Sequence, residues 1–120
     1  MTAKSLIDLD HLDKYVAGDH ALRDEVLSIF VNQVGALIGE MSITQTDEDW
    51  RNTAHAVKGA ARGVGAWTLG DLCEEAEALV GGASAKLERR SSLLIAMRQQ
   101  LSESVSEIRQ LAEASQALKP

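Results

Sequence analysis

Apolar residues recur at three- and four-residue spacing along most of the chain, which is the period of an amphipathic α-helix. These stripes predict a short helix over residues 7–18, with Asp8 or Asp10 as its N-cap and Gly18 at its end. A longer helix is expected to begin after an N-cap at Asp19 and to run to Met41. The core positions expected in these two helices are Leu9, Leu12, Tyr15 and Val16, then Leu22, Val26, Ile29, Phe30, Leu37, Ile38 and Met41.

A third helix follows a polar turn at residues 42–46. Thr46 with Asp49 three residues later resembles a capping box, and acidic residues in a first turn suit the positive end of a helix. This helix is expected to stop near Gly65.

Two more helices complete the pattern. Thr68 followed by Asp71 resembles another cap, and it predicts a helix that ends at the Gly81–Gly82 pair. Its expected core positions are Leu69, Leu72, Ala76 and Leu79, with Cys73 and Val80 beside them. Ser84 is expected to start the last and longest helix, and residues 114–120 are expected to fray. In that helix Leu87, Leu94, Leu101 and Ile108 repeat every seven residues, with Met97, Val105 and Leu111 between them.

The pattern as a whole predicts an all-α fold. No segment alternates apolar and polar residues over the length of a strand. Short connections make sequential helices antiparallel neighbours, so we expect an up-down-up-down antiparallel four-helix bundle with a short additional N-terminal helix. One domain over residues 1–120, with an ordered core of about 7–113, is expected. We expect a monomer, while the length of the last helix leaves homodimerisation open.

Composition narrows the classes of function. The net charge of −6 argues against binding to nucleic acid or anionic membranes. There is no apolar run of 18 residues and no apolar stretch near the start that is typical of a signal peptide. Cys73 is the one cysteine, which fits a reducing compartment. These features predict a cytoplasmic protein that binds neither nucleic acid nor membrane.

The third helix separates into two faces because a helix turns about 100° per residue. What we call the core face comprises Trp50, Ala54, Val57, Ala61 and Val64. What we call the histidine face comprises His55, Lys58, Gly59 and Arg62, and it is rotated by roughly 140° from the core face. His55 is therefore expected to point outward or sideways.

The residue types on the histidine face favour phosphoryl chemistry. A neutral imidazole is a nucleophile near physiological pH, and Lys58 and Arg62 place cations within one and two turns of His55. A glycine inside a helix costs about 1 kcal/mol relative to alanine, and Gly59 leaves room for a phosphoryl group or for another protein. The sequence has no GxxxxGK[ST] loop and no evident acidic magnesium site, so a partner is expected to supply both the phosphoryl group and its metal.

The run from His55 to Leu69, HAVKGAARGVGAWTL, resembles the histidine-containing phosphotransfer (HPt) family. The family pattern is a histidine, Lys-Gly at the third and fourth following positions, small residues, an aliphatic residue with Gly-Ala, and then a leucine that begins the next helix. Matching positions continue at Leu69, Leu72, Cys73, Ala76 and Glu77, so the motif covers about 25 residues.

This resemblance implies phosphorylation of His55 on Nε2 and exchange with the aspartate of a receiver domain, which binds the magnesium ion. It implies that Lys58 stabilises the phosphate, that Gly59 gives access, and that Glu77 hydrogen-bonds the other imidazole nitrogen. Arg62 and Gly63 depart from the usual pattern, which puts the docking surface and the choice of partner in doubt.

The leading hypothesis is a phosphotransfer protein of a bacterial-type multistep phosphorelay. It would shuttle a phosphoryl group between receiver domains of a hybrid histidine kinase and a response regulator, without ATP-dependent kinase activity or a cofactor of its own. A non-catalytic helical adaptor, for which His55 is only a contact, is the alternative. The phosphorylatable domain of a chemotaxis-type kinase is disfavoured unless the chain is a fragment, because the sequence contains no kinase segments. An ATP-dependent histidine kinase is disfavoured further, because that class requires an ATP domain and none is visible.

Overall fold

The computed structural model describes residues 5–117, which form five α-helices and no strand. The helices are α1 (Leu9–Val16), α2 (His20–Glu40), α3 (Asp47–Gly63), α4 (Trp67–Glu77) and α5 (Lys86–Ala117). The prediction of an all-α fold with a short first helix is confirmed.

The four longer helices pack in a closed cycle, which is the arrangement expected of a four-helix bundle. α3 packs on α2 and α4, and α5 packs on the same two helices from the other side, while α1 lies against α2. In α3 and α4 the residue numbers of the paired side chains run in opposite directions, since Lys58 meets Glu77 and Arg62 meets Glu74. These two helices are therefore antiparallel.

Three of the predicted N-caps are confirmed. Asp8, Asp19 and Thr46 each accept a hydrogen bond from the backbone N–H three residues later, at 3.1, 3.0 and 3.1 Å. Each side chain satisfies one backbone donor that the first turn of a helix leaves without a partner. The first and third helices are slightly shorter than predicted, ending at Val16 and Gly63.

The predicted cap of α4 is wrong. The helix begins at Trp67 with Ala66 as its N-cap and no side-chain cap hydrogen bond, so Thr68 lies inside the first turn. The position of the turn is set by Gly65, which has a φ of 81° and whose carbonyl accepts a hydrogen bond from the N–H of Asp8. The indole N–H of Trp67 then donates to the Asp8 carboxylate at 2.9 Å. These contacts with the segment before α1 decide where the helix starts.

The other end of α4 also differs from the prediction. The helix stops at Glu77. Leu79 lies in the connection that follows the helix, and its side chain is fully buried. Apolar periodicity alone therefore extends the helix too far, because a buried leucine in a connection looks like one more helical core position.

Several predicted core positions are exposed instead. They are Tyr15 in α1, Leu22 and Ile29 in α2, and Leu87 in α5. In α2 the buried residues are Arg23, Leu27, Phe30, Val34 and Ile38. Leu22 and Ile29 lie on a side of α2 roughly 140° from the middle of that stripe. α2 carries apolar residues on nearly all of its faces, so the sequence pattern does not define which face turns inward.

The last helix extends to Ala117, and residues 118–120 lie outside the described residues, so fraying from residue 114 stays a prediction. Arg23, buried in α2, donates from Nη2 to the hydroxyl of Ser115 at 2.7 Å and to Asp24 at 3.0 Å. This contact holds the last turns of α5 against the beginning of α2.

A buried arginine joins three parts of the bundle. The guanidinium of Arg90, 1% exposed, lies over the ring of Trp50 at 4.7 Å from its centroid. It donates to the backbone carbonyls of Leu79, Ile43 and Gln45 at 3.0, 3.1 and 2.9 Å. The α2–α3 and α4–α5 connections are thus both tied to α5 beneath the first turns of α3.

Asp47 completes this junction at the beginning of α3. Its carboxylate accepts from Arg90 at 2.8 Å, from Lys86 at 3.0 Å and from the N–H of Gly81 at 2.8 Å. The hydrogen bonds from Gly81 and Lys86 hold the pKa of Asp47 below its ordinary value. The carboxylate therefore remains charged, and continues to bind Arg90, at neutral pH.

We expect the substitution Arg90→Met to lower the free energy of unfolding by about 3 kcal/mol, because it leaves buried carbonyls without donors and removes the cation–π contact. Urea denaturation followed by circular dichroism measures this. The matched control is Arg89→Met on the exposed side of α5, where the expected loss is below about 0.5 kcal/mol. Equal losses for the two variants would contradict a special role for Arg90.

Candidate functional site

The two faces of α3 are oriented as the sequence predicts. The core face is buried throughout, whereas the side chain of His55 is 72% exposed. Four buried residues of α3, spaced four, three and four positions apart, pack against the other helices. This packing fixes the rotation of α3 about its own axis. His55 is consequently held at the surface by packing on the opposite side of its own helix.

Glu77, the last residue of α4, lies directly beside the imidazole. Its Oε1 is 3.0 Å from Nδ1 of His55, and both of its carboxylate oxygens are 3.0 Å from Nζ of Lys58. The contact between Glu77 and His55 that the family resemblance implies is therefore present. Its effect on phosphoryl transfer stays a prediction.

The carboxylate of Glu77 remains charged in this setting. Partial burial acts to raise its pKa, but the hydrogen bonds from Lys58 and His55 outweigh this and hold the pKa below the ordinary value. Because a carboxylate only accepts hydrogen bonds, a neutral His55 carries its proton on Nδ1 when it binds Glu77. The lone pair of Nε2 is then free to act as a nucleophile.

Lys58 is already engaged. Its side chain is 16% exposed, and that of Glu77 is 20% exposed, so the two form a half-buried ion pair beside the ring. The positive charge expected near His55 is present, but in this structure the ammonium faces the carboxylate. A role of Lys58 in binding phosphate stays a prediction.

Gly59 lies on open surface. A Cβ atom added there would meet no atom within 4 Å outside its own helical turn and chain neighbours. Packing within the described chain therefore does not require a glycine at this position. The same holds for Gly63, the last residue of α3. The open space at Gly59 is compatible with the sequence-based expectation that a glycine there leaves room for a phosphoryl group or for another protein.

Arg62 extends across α4 and pairs with two acidic side chains there. Its Nη2 lies 3.3 Å from Oε2 of Glu74 and 3.7 Å from Oδ1 of Asp71. Its aliphatic stem passes over Gly70, where an added Cβ would come within 3.0 Å of Cγ of Arg62. We call Arg62, Asp71 and Glu74 the Arg62 cluster.

The sequence pattern does not predict the Arg62 cluster. In that pattern Asp71 is a cap partner, and Gly70 and Glu74 have no assigned role. The signal that was available is an interior glycine in α4 at a buried position, which indicates close approach by another group.

Cys73 is buried in α4 and has no disulfide partner. Burial raises the pKa of its thiol to about 12, so it remains protonated at neutral pH and behaves as a small apolar residue. This agrees with the interpretation of Cys73 as part of the core.

Residues 5–117 contain neither a cluster of metal ligands nor a helix able to span a membrane. No group of three or more His, Cys, Asp or Glu side chains is arranged to hold a metal ion. In the same part of the chain, no helix combines the length and the apolar character needed to cross a membrane.

Comparisons with known proteins agree with this geometry. The model of the Hpt domain family matches residues 25–118. Among solved structures, the histidine phosphotransferase ShpA from Caulobacter crescentus is 36% identical and superposes with a TM-score of 0.60, with 95% of this chain and 99% of that chain covered. No curated protein gives a significant match. The chain therefore belongs to the Hpt domain family, the histidine phosphotransfer proteins of phosphorelays, whose partners are the receiver domains of two-component systems.

Proposed function

We propose that His55 is the phosphorylated residue and that it acts through Nε2. The observation that supports this is the hydrogen bond of 3.0 Å between Nδ1 and Glu77, on a ring whose side chain is 72% exposed. One nitrogen is engaged and fixes the tautomer, while the other faces solvent. That is the arrangement a nucleophilic imidazole needs if a second protein brings the phosphoryl group.

In the proposed transfer, Nε2 attacks the phosphorus of a receiver aspartyl phosphate. The N–P bond forms as the P–O bond to the aspartate breaks, and the electron pair of that bond leaves with the aspartate carboxylate. The proton on Nδ1 stays in place, so the phosphorylated ring becomes cationic. The Glu77 carboxylate faces this positive charge and stabilises it. Donation to a second receiver reverses each of these changes.

Lys58 is proposed to stabilise the phosphoryl oxygens. It follows His55 by three residues, a spacing that brings side chains together on one helix face. An ammonium has three N–H donors, so contact with Glu77 leaves capacity for a phosphoryl oxygen. Lys58 therefore offers charge to the phosphoryl group while keeping Glu77 in position.

The proposal extends to the partner proteins, the source of the magnesium ion, the oligomeric state and the location. The two receivers belong to a hybrid histidine kinase and a response regulator, and the receiver supplies the magnesium ion. The protein acts as a monomer in the cytoplasm, where its buried thiol at Cys73 is compatible with reducing conditions.

We expect His55→Gln to abolish transfer. The variant keeps a polar side chain of similar size at an exposed position but lacks the nucleophile. Incubation with a radiolabelled, phosphorylated receiver should label the wild-type protein and leave the variant at background, and the label should be lost in acid. His20→Gln, at another exposed histidine, is the matched control and should be labelled normally. Equal labelling of all three proteins would refute the mechanism, and receiver binding without any transfer would favour an adaptor.

We expect Glu77→Gln to slow transfer by about tenfold, because a neutral amide stabilises the cationic ring less than a carboxylate does. The free energy of unfolding should change by much less than the activation free energy that corresponds to this tenfold slowing. Nitrogen NMR of the His55 ring provides an independent readout: the wild type should favour the tautomer with the proton on Nδ1, and the variant should lose that preference. Unchanged tautomers together with slow transfer would argue against Glu77 as a positioning residue.

We expect Gly59→Met to slow transfer from a receiver by at least about tenfold without lowering the free energy of unfolding. The methionine side chain meets open space within the protein, and the loss of glycine favours the helix by about 0.5–1 kcal/mol. The control Ala114→Met adds the same side chain to an exposed position of α5 and should leave transfer unchanged. Parallel losses of stability and of transfer in Gly59→Met would contradict the interpretation that Gly59 serves to leave room for a docking partner.

A further inference from the structure

The Arg62 cluster carries charge that the phosphoryl transfer itself does not use. One positive and two negative side chains give it a net charge of −1. The exposed fractions are 39% for Arg62, 76% for Asp71 and 61% for Glu74. A partner that approaches the cluster therefore meets mainly its carboxylates.

The cluster lies within reach of any domain that docks over His55. Seven residues separate His55 from Arg62 in α3, which places them about 10 Å apart along the helix axis and about 20° apart around it. A specific interface of modest size covers about 600 Å² on each partner, which corresponds to a patch about 14 Å in radius. A receiver centred on His55 thus covers Arg62, whose guanidinium lies within 3.7 Å of the carboxylates of Asp71 and Glu74.

The ion pairs that Lys58 and Arg62 make from the histidine face differ in how firmly they are formed. Lys58 and Glu77 are half-buried and 3.0 Å apart, whereas the pairs of Arg62 are 3.3 and 3.7 Å long and exposed. Exposed ion pairs of this kind contribute little to stability. A docked partner can therefore exchange them for its own contacts, while the stem of Arg62 stays packed over Gly70.

We propose that the Arg62 cluster selects the receiver, by favouring one that presents a lysine or arginine side chain opposite Asp71 and Glu74. This proposal rests on the proposed function of His55. Charges at the rim of an interface act mainly on the association rate and on its salt dependence. The cluster therefore changes kcat/KM for transfer and leaves the reactivity of the imidazole unchanged.

The test uses two variants whose effects have opposite signs. The double variant Asp71→Asn, Glu74→Gln removes both carboxylates and should lower kcat/KM by about tenfold with the receiver that phosphorylates the wild type fastest. The variant Arg62→Gln leaves the carboxylates uncompensated and should raise kcat/KM by about twofold to fivefold. Both differences should vanish near 1 M salt, where the Debye length is about 3 Å.

Two controls distinguish a local effect of the Arg62 cluster from an effect of net charge and from a change in the reactivity of His55. The double variant Glu103→Gln, Glu113→Gln changes the net charge by the same two units on exposed positions of α5 and should transfer at the wild-type rate. Phosphorylation of His55 by phosphoramidate, a small donor that needs no docking, should be equal in the wild type and in the double variant Asp71→Asn, Glu74→Gln. Wild-type kinetics in both cluster variants, or slowing in both, would overturn the inference. If no receiver phosphorylates the wild type, the proposed function itself fails, which is a distinguishable result.

Discussion

The contact between Arg90 and Trp50 governs the placement of the site. The guanidinium lies over the indole ring and also binds the α2–α3 and α4–α5 connections, so the beginning of α3 has one position relative to α4 and α5. The indole N–H of Trp50 donates to the carbonyl of Ala76 at 2.8 Å, one residue before Glu77. A continuous set of contacts thus leads from the core to the carboxylate that holds His55. A buried arginine is costly to desolvate, and here four hydrogen bonds and the contact with the Trp50 ring offset that cost.

The sequence predicted α3 and its two faces well because α3 is strongly amphipathic. Its core face is spaced four, three, four and three residues apart, and only polar residues, alanine and glycine occupy the other positions, so the inward direction is unambiguous. Caps at Asp8, Asp19 and Thr46 were predictable for a related reason: a short side chain and the backbone N–H three residues later make a local contact. Local chemistry and clear periodicity need no knowledge of the tertiary fold.

The sequence-based predictions are wrong or incomplete where a tertiary contact decides which residue is buried or where a helix begins. In α2 and α5 apolar residues occur on several faces, and two of the inward positions are the arginines Arg23 and Arg90, which a hydrophobic pattern assigns to solvent. The start of α4 depends on Asp8, more than fifty residues earlier in the chain. The contact between Glu77 and His55 came from family resemblance, since spacing within α4 placed Glu77 only at the edge of the core stripe. Arg62 and Gly70 fit together across two helices, a relation that no single-helix pattern contains.

The hydrogen bond between Glu77 and Nδ1 has a thermodynamic consequence. In the proposed cycle this carboxylate stabilises the phosphorylated ring in the same way whether the group has just arrived or is about to leave. By microscopic reversibility, acceptance and donation then share one set of protein contacts, and α3 and α4 introduce no preference for either direction. In the proposed cycle, the net direction of phosphoryl flow is set by the difference in hydrolysis free energy between the two aspartyl phosphates and by the supply of each receiver. A module of this kind can run forward or backward in the cell without any change in its own structure.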